Sequence, residues 1–341
     1  MLRAKDTQRS QWIHKEIFNM ITGTVNWGII GCGDVCEVKS GPAFNKVPNS
    51  KLVAVMRRDE EKAADFARRH KIAKYYSDAG DLINDSDVNA IYVATPPSSH
   101  AMYMEEALKA GKPVYVEKPV TTSATSCVKM IDANNRLGGF VSVAHYRREL
   151  ALFRKVKDLI SSGAIGRVTL MKLSTLQPKA SKIITQTKDN WRVQPEISGG
   201  GLFHDLSPHQ LDIAYWLFGK PVAVRGNSLN QLNLYNAPDV ATIEITFANN
   251  ILLQGLWAFN VSETATQDLC EIVGTEGIIR FSFFRKSTIE VNGSVIEMEY
   301  PENIQKPMIE AVVKYFRGEG ENPCSLEDAL VVMQLIDSTN K

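Results

Sequence analysis

Between residues 25 and 144 short apolar runs alternate with amphipathic stretches, and that alternation constrains the fold more than any single motif. The runs are VNWGII (25–30), KLVAVM (51–56), AIYVAT (90–95), PVYVE (113–117) and FVSVAH (140–145), with a weaker one at Lys74–Tyr76. EEKAADFARRH (60–70) and HAMYMEEALKAG (100–111) lie between them with helical periodicity, the second closed by Gly111. Apolar strands separated by helices form a parallel sheet covered on both faces. Six of them predict a Rossmann-type α/β domain over residues 24–146.

After about residue 165 the rhythm changes. RVTLMKLSTLQ, AVRGNSLNQL, ATIEITF, ILLQGLWAF, LCEIVG, GIIRFSFF, STIEV and SVIEMEY are strand-like, and Asn292-Gly293 between the last two is a type I′ hairpin signal. Helical patterns cover 149–162, 202–218, 306–317 and 325–338. Residues 147–341 therefore read as an α+β domain with a large, mostly antiparallel open sheet, for substrate binding and oligomerisation. Residues 1–23 are a polar extension without the apolar core of a secretory signal. Trp12, Ile13, Ile17 and Met20 can line one face of a short helix there, and a loose extension is an equal reading.

The charge balance and composition narrow the function. A formal net charge of +1 gives no reason to expect nucleic acid or an acidic membrane as partner. No apolar run approaches the roughly 20 residues that span a bilayer. The five cysteines show no CxxC pair and no His/Cys metal spacing, so they read as small buried hydrophobes in a reducing cytoplasm, with no metal site.

The first strand runs into Gly31-Cys-Gly-Asp-Val-Cys36, a G-x-G-x-x-G/A dinucleotide fingerprint with cysteine in its third place. Gly31 permits the tight turn and Gly33 lets the backbone approach a pyrophosphate at the helix that begins with Asp34 and Val35. Cys36 is only slightly larger than the alanine often found there. An NAD site wants an acid after the second strand, to hold the ribose 2′-hydroxyl, whereas this chain has Arg57-Arg58. Two guanidinium groups match a 2′-phosphate, which predicts NADP with NAD as the alternative. Asp59 reads as the cap of the helix from Glu60.

At ATPPSSH (94–100) and VEKPV (116–120) the chain begins to resemble the Gfo/Idh/MocA oxidoreductases, relatives of glucose–fructose oxidoreductase and inositol dehydrogenase. The likeness continues through HYRRELALFRKVKDLISSGAIG (145–166), Trp191-Arg192 and SGGGLFHDLSPHQLDIAYWLFG (198–219), covering roughly residues 24–338. The resemblance implies an active site between the two domains, with Lys118 of EKP and Asp205 and His209 of D-x-x-x-H at the catalytic positions. It also implies Thr95, Pro96, Pro97, His100, Glu117 and Lys118 at the cofactor, a sugar, polyol or cyclic alcohol/carbonyl substrate, and a homodimer or homotetramer.

Chemistry supports these positions independently. Lys118 follows a parallel strand at its carboxyl end, where open α/β sheets bind ligands, and an ammonium there stabilises a developing alkoxide. Asp205 and His209, four apart, share a helix face, and an imidazole titrating near neutrality can move a hydroxyl proton. Pro208 between them either kinks that helix or starts a new one capped by Ser207. Arg147, Trp191, Arg192 and His204 are substrate-binding candidates; an interdomain ion pair is the competing reading for each arginine, and a solvent-facing position for His204. Two rival functions stand beside the oxidoreductase: a glycosidase that retains NAD, and a non-catalytic nucleotide-binding regulator. The paired arginines argue against the first, and Lys118 with His209 against the second.

Overall fold

The computed structural model describes residues 20–179, 181, 183 and 190–340. The proposed helix through Trp12, Ile13 and Ile17 lies outside the described residues. The first sheet comprises β1 (Val25–Ile30), β2 (Ser50–Met56), β3 (Lys74–Tyr76), β4 (Ala90–Val93), β5 (Val114–Val116) and β6 (Val141–Val143). Its order is β3-β2-β1-β4-β5-β6, with every pairing parallel. The order reverses between β2 and β4 on either side of β1, which opens a crevice at the carboxyl ends of the strands. Asp59 caps the helix Glu60–His70 by accepting from the Lys62 amide at 3.1 Å. The helix after the glycine turn is only five residues long, Asp34–Val38, and gives way to a second short helix, Gly41–Phe44.

The second sheet has eight strands: β7 (Val168–Leu176), β8 (Pro221–Leu229), β9 (Val240–Phe247), β10 (Leu252–Ala258), β11 (Gln267–Gly274), β12 (Ile278–Phe281), β13 (Thr288–Val291) and β14 (Ser294–Glu297). They run β14-β13-β12-β11-β7-β10-β9-β8, antiparallel except for β10 beside β7. Asn292 and Gly293, at φ 51° and 87°, turn the β13–β14 hairpin as their residue types demand.

Among the described residues, one side of this sheet packs on helices and the other is bare. The apolar residues of ATIEITF do not face the bare side: Ile243, Ile245 and Phe247 are buried and the open positions are Thr242 and Glu244. The neighbouring strands do supply apolar area. Register aligns Leu252 with Leu170 and Val273, and Leu256 with Ser174 and Leu269. Between those rows run Gln254, Lys172, Glu271 and Arg280, the last held to Glu271 at 2.8 Å.

The helix Leu202–Phe218 is continuous through Pro208. The proline forfeits one backbone bond, to the His204 carbonyl, but Phe203, Leu206, Leu211, Ile213 and Phe218 are buried around the helix and hold its course. The last two helices, Lys306–Phe316 and Leu326–Asp337, follow the second sheet in sequence yet pack against the first. Phe316 meets Trp27 of β1 with ring centroids 5.6 Å apart, and the Ala124 amide donates to Asp337 at 2.9 Å. Among the described residues no helix is long and apolar enough to cross a membrane.

Candidate active site

The crevice at the carboxyl ends of β1, β2 and β4 holds a cleft of about 490 Å³. Gly31, Gly33, Asp34, Val35, Arg57, Arg58, Thr95 and Pro96 line it, as do Trp191 and Arg192. Gly31 has φ 92°, and a Cβ there would stand 2.7 Å from Thr95 Cγ2. At Gly33 the nearest atom to an added Cβ is 4.0 Å away, so this glycine keeps space open rather than relieving the backbone. That open cradle, next to first-turn amides without intrahelical partners, fits a dinucleotide's pyrophosphate. Cys36 is fully buried beneath the turn, its thiol 3.8 Å from the Gly31 carbonyl, and burial pushes its pKa up. Cysteine thus fills the third fingerprint position as an inert packing group.

At the end of β2, Arg57 donates through Nη1 to the Cys32 carbonyl at 3.4 Å. Lys62 and Tyr103, which the sequence did not single out, join the lining there, and Asp34 is the only acid among the described lining residues.

Next to the nucleotide cleft, sharing Val35, Ala94, Thr95, Trp191 and Arg192 with it, is a smaller pocket of about 100 Å³. Pro97, Glu117, Lys118, Arg147, Asp205 and His209 line it, together with Lys39, Tyr146, Phe284 and Gln305, which sequence reasoning missed. The Lys118 ammonium donates to Asp205 twice, to Oδ1 at 2.8 Å and to the carbonyl at 2.7 Å. Arg192 Nε donates to Asp205 Oδ2 at 3.2 Å. Burial alone would raise the Asp205 pKa, but the charges of Lys118 and Arg192 overcome it and hold the carboxyl at about 2. Arg192 therefore does form an ion pair, with an acid on its own side of the molecule. Glu117 faces the pocket rather than the nucleotide cleft and is braced from behind, accepting from Tyr92 at 2.5 Å and from Gln305 at 2.6 Å.

His209 shares the helix face of Asp205, with its ring edge-on to Tyr146 and Phe284. It does not titrate near neutrality as expected. Burial, followed by the nearby Lys118 and Arg147 charges, pushes its pKa well below the ordinary histidine value, so the ring is neutral. Among the described residues Arg147 forms no ion pair; its guanidinium sits among the rings of Tyr146, Phe153, Phe283 and Phe284, 4.8 Å from the Phe284 centroid.

Two of the candidate histidines fall outside the lining of both clefts. His100, expected at the cofactor, is buried and bridges two loops, Nδ1 at 3.0 Å from the Pro119 carbonyl and Nε2 at 2.6 Å from that of Thr95. His204, expected at the substrate, turns inward against Gly199–Gly200, and burial lowers its pKa to about 4. Elsewhere His145, Asp212 and Cys324 come within 4.8 Å of one another, but Arg148 binds both Asp212 oxygens and already supplies the positive charge.

A Rossmann crevice opening onto a lysine–aspartate–histidine pocket under a second, open sheet defines a two-domain dinucleotide-binding oxidoreductase. Residues 25–145 match the family model described as oxidoreductase family, NAD-binding Rossmann fold, and residues 153–280 match the GFO/IDH/MocA C-terminal domain. The chain belongs to the Gfo/Idh/MocA oxidoreductase family. It is 44% identical to oxidoreductase P35 of Formosa agariphila over 316 residues, covering 92% of this chain and 97% of that one. It is 30% identical to inositol 2-dehydrogenase 2 of Saccharopolyspora erythraea over 200 residues, 58% of this chain and 55% of the relative. In fold it is similar to levoglucosan dehydrogenase in complex with NADH, at a TM-score of 0.82 and 23% identity, covering 93% of this chain and 97% of the other.

Proposed function

We propose that this oxidoreductase uses NADP(H) to interconvert a hydroxyl and a carbonyl on a sugar-like, polyol or cyclic substrate. The observation that carries the reading is the convergence of Lys118, Asp205 and His209 on one small pocket adjoining the nucleotide cleft. Relatives named inositol dehydrogenase and levoglucosan dehydrogenase support the substrate class. When bound, the cofactor supplies or takes up a hydride at the reacting carbon.

The protein's own groups handle the oxygen and the proton. Two Lys118 donations go to Asp205, which leaves one N–H for the reacting oxygen. That contact strengthens as the oxygen gains alkoxide character. In the oxidising direction the neutral His209 ring takes the hydroxyl proton, and in the reducing direction it returns it. Asp205 stays ionised and fixes both Lys118 and Arg192. The preference for NADP rests on Arg57, Arg58 and Lys62 around the end of β2.

We also infer a homodimer or homotetramer built on the bare face of the second sheet, where the mostly apolar rows Leu252-Leu170-Val273 and Leu256-Ser174-Leu269 flank a polar, largely charged row. An apolar area of that kind on a monomer stays in water at a cost. Five free, buried thiols favour a reducing, cytoplasmic setting.

The test is a substrate screen at the reduced-nicotinamide band, using both cofactors and a panel of sugars, inositols and dihydrodiols. Turnover that disappears in Lys118→Ala supports the reading. Cofactor binding without hydride transfer to or from any panel member, at any pH, counts for the regulator, and bond cleavage without net redox change counts for the glycosidase.

A further inference from the structure

The small pocket carries more positive charge than a neutral substrate needs. Lys39, Lys118, Arg147 and Arg192 face Glu117 and Asp205 across it. Asp205 is occupied by Lys118 and Arg192, and Glu117 by Tyr92 and Gln305. Lys39 and Arg147 are left over, and among the described residues no carboxylate bonds to either.

Arg147 is the more telling of the two. It is 4% exposed, and among the described residues neither Nε nor Nη1 has a hydrogen-bond partner. The rings around it stabilise a cation through their faces but leave Nε and Nη1 without an acceptor. Asp268 is the acid that senses its charge, yet that carboxylate accepts from the Phe283 and Phe284 amides at 3.1 and 2.6 Å. A buried guanidinium with unmet donors is costly to keep unless something completes it. Planar carboxylates suit a guanidinium's forked donors better than any neutral hydroxyl does. Lys39 follows the short helix of the glycine turn, is exposed at the pocket, and adds its field to that of Lys118 at Asp205 and His209.

We propose that the substrate is a polyhydroxy acid, a sugar or polyol bearing a carboxylate, and that Arg147 inside the pocket and Lys39 at its edge receive that group. This deepens the oxidoreductase reading and takes the same pocket from it. It makes Arg147 and Lys39 specificity residues, separate from the groups that move the proton.

The test reads binding, so that it does not depend on turnover. The full-length chain saturated with NADPH, and in a second series with NADH, is titrated calorimetrically with D-glucuronate against D-glucose, D-gluconate against D-sorbitol, and D-glucose 6-phosphate. At least one acid should bind about 10- to 100-fold tighter than its neutral partner, the range of one charge-assisted contact. That preference should vanish in Arg147→Met, whose side chain still fills the aromatic surround, and shrink in the surface variant Lys39→Met. Equal binding of acids and neutral partners overturns the inference, as does failure of both acids to bind. A preference unchanged in Lys39→Met and in folded Arg147→Met overturns it too, and tighter binding of the phosphate ester overturns the carboxylate assignment. Hydride transfer on neutral sugars without any acid preference sinks this inference and leaves the oxidoreductase reading standing. Acid-selective binding without hydride transfer to any ligand does the reverse.

Discussion

Lys118 and Asp205 stand 87 residues apart in the chain and meet at 2.8 Å, one at the end of a parallel strand of the first sheet and the other on a helix of the second domain. Asp205 also holds Arg192, so a single carboxylate fixes two cations at the place where the reacting oxygen is expected. The geometry of the site is therefore a product of the domain pairing.

That pairing has a pH signature. The ordinary carboxyl value is 3.8, and Asp205 lies at about 2 in the folded protein. The unfolded chain binds this proton more readily, so the stabilisation is complete above about pH 4 and disappears as pH falls from there through about 2. Its size is on the order of 2 kcal/mol. Urea midpoints measured from pH 6 to 2 should fall more steeply in wild type than in Asp205→Asn, which lacks the titrating group. Parallel curves would separate Asp205 from this acid limb.

His209→Asn should keep cofactor affinity and lose turnover by roughly 10²–10⁴-fold. Because burial and the Lys118 charge depress the histidine pKa, kcat/KM in the oxidising direction should be flat through neutrality and decline only on the acid side of the usual histidine range. A neutral midpoint in that profile, absent in the variant, would place the histidine near its ordinary value before substrate binds and would sink the argument from burial.

Arg57→Ala should weaken NADPH by roughly 1.5–3 kcal/mol and leave NADH nearly unchanged, the difference being one charge-assisted phosphate contact. Fluorescence titration of both cofactors checks it. Equal wild-type affinities would remove the case for NADP.

The two fingerprint glycines should fail differently. Gly31→Ala sets a Cβ 2.7 Å from Thr95 Cγ2 at φ 92°, so thermal stability and cofactor binding should both drop. Gly33→Ala has free space and a negative φ, so the melting temperature of the cofactor-free protein should hold while nucleotide affinity falls. A Gly33→Ala protein binding like wild type would mean that the pyrophosphate rests elsewhere.

The sheets were legible because strand signals are local. β1 occupies the very residues of its apolar run, and Asp59 caps the helix its spacing announced. The alternation of period two in β9 was equally clear, but which face met water depended on helices far along the chain. The same limit explains the site. Lys118, Asp205 and His209 were found through motifs, whereas Lys39, Tyr146 and Gln305 carry no local sign that they turn toward the same cavity. His100 and His204 have the right chemistry for a site, and only their surroundings show one spent on two carbonyls and the other turned into a glycine turn. The His209 shift arises from burial and from charges brought in by folding, which no spacing encodes.

Gln305, which braces Glu117 from 188 residues downstream, sets an order of events during synthesis. At about 5–20 residues per second a ribosome takes roughly 10–40 s to travel that distance. For the later part of that interval the strands of the first sheet are outside the exit tunnel, while the glutamate beside Lys118 lacks its brace and Trp27 lacks the cover of Phe316. The nascent first half waits with an unfinished flank, and a chain released early leaves that flank open to whatever else in the cell can cover it.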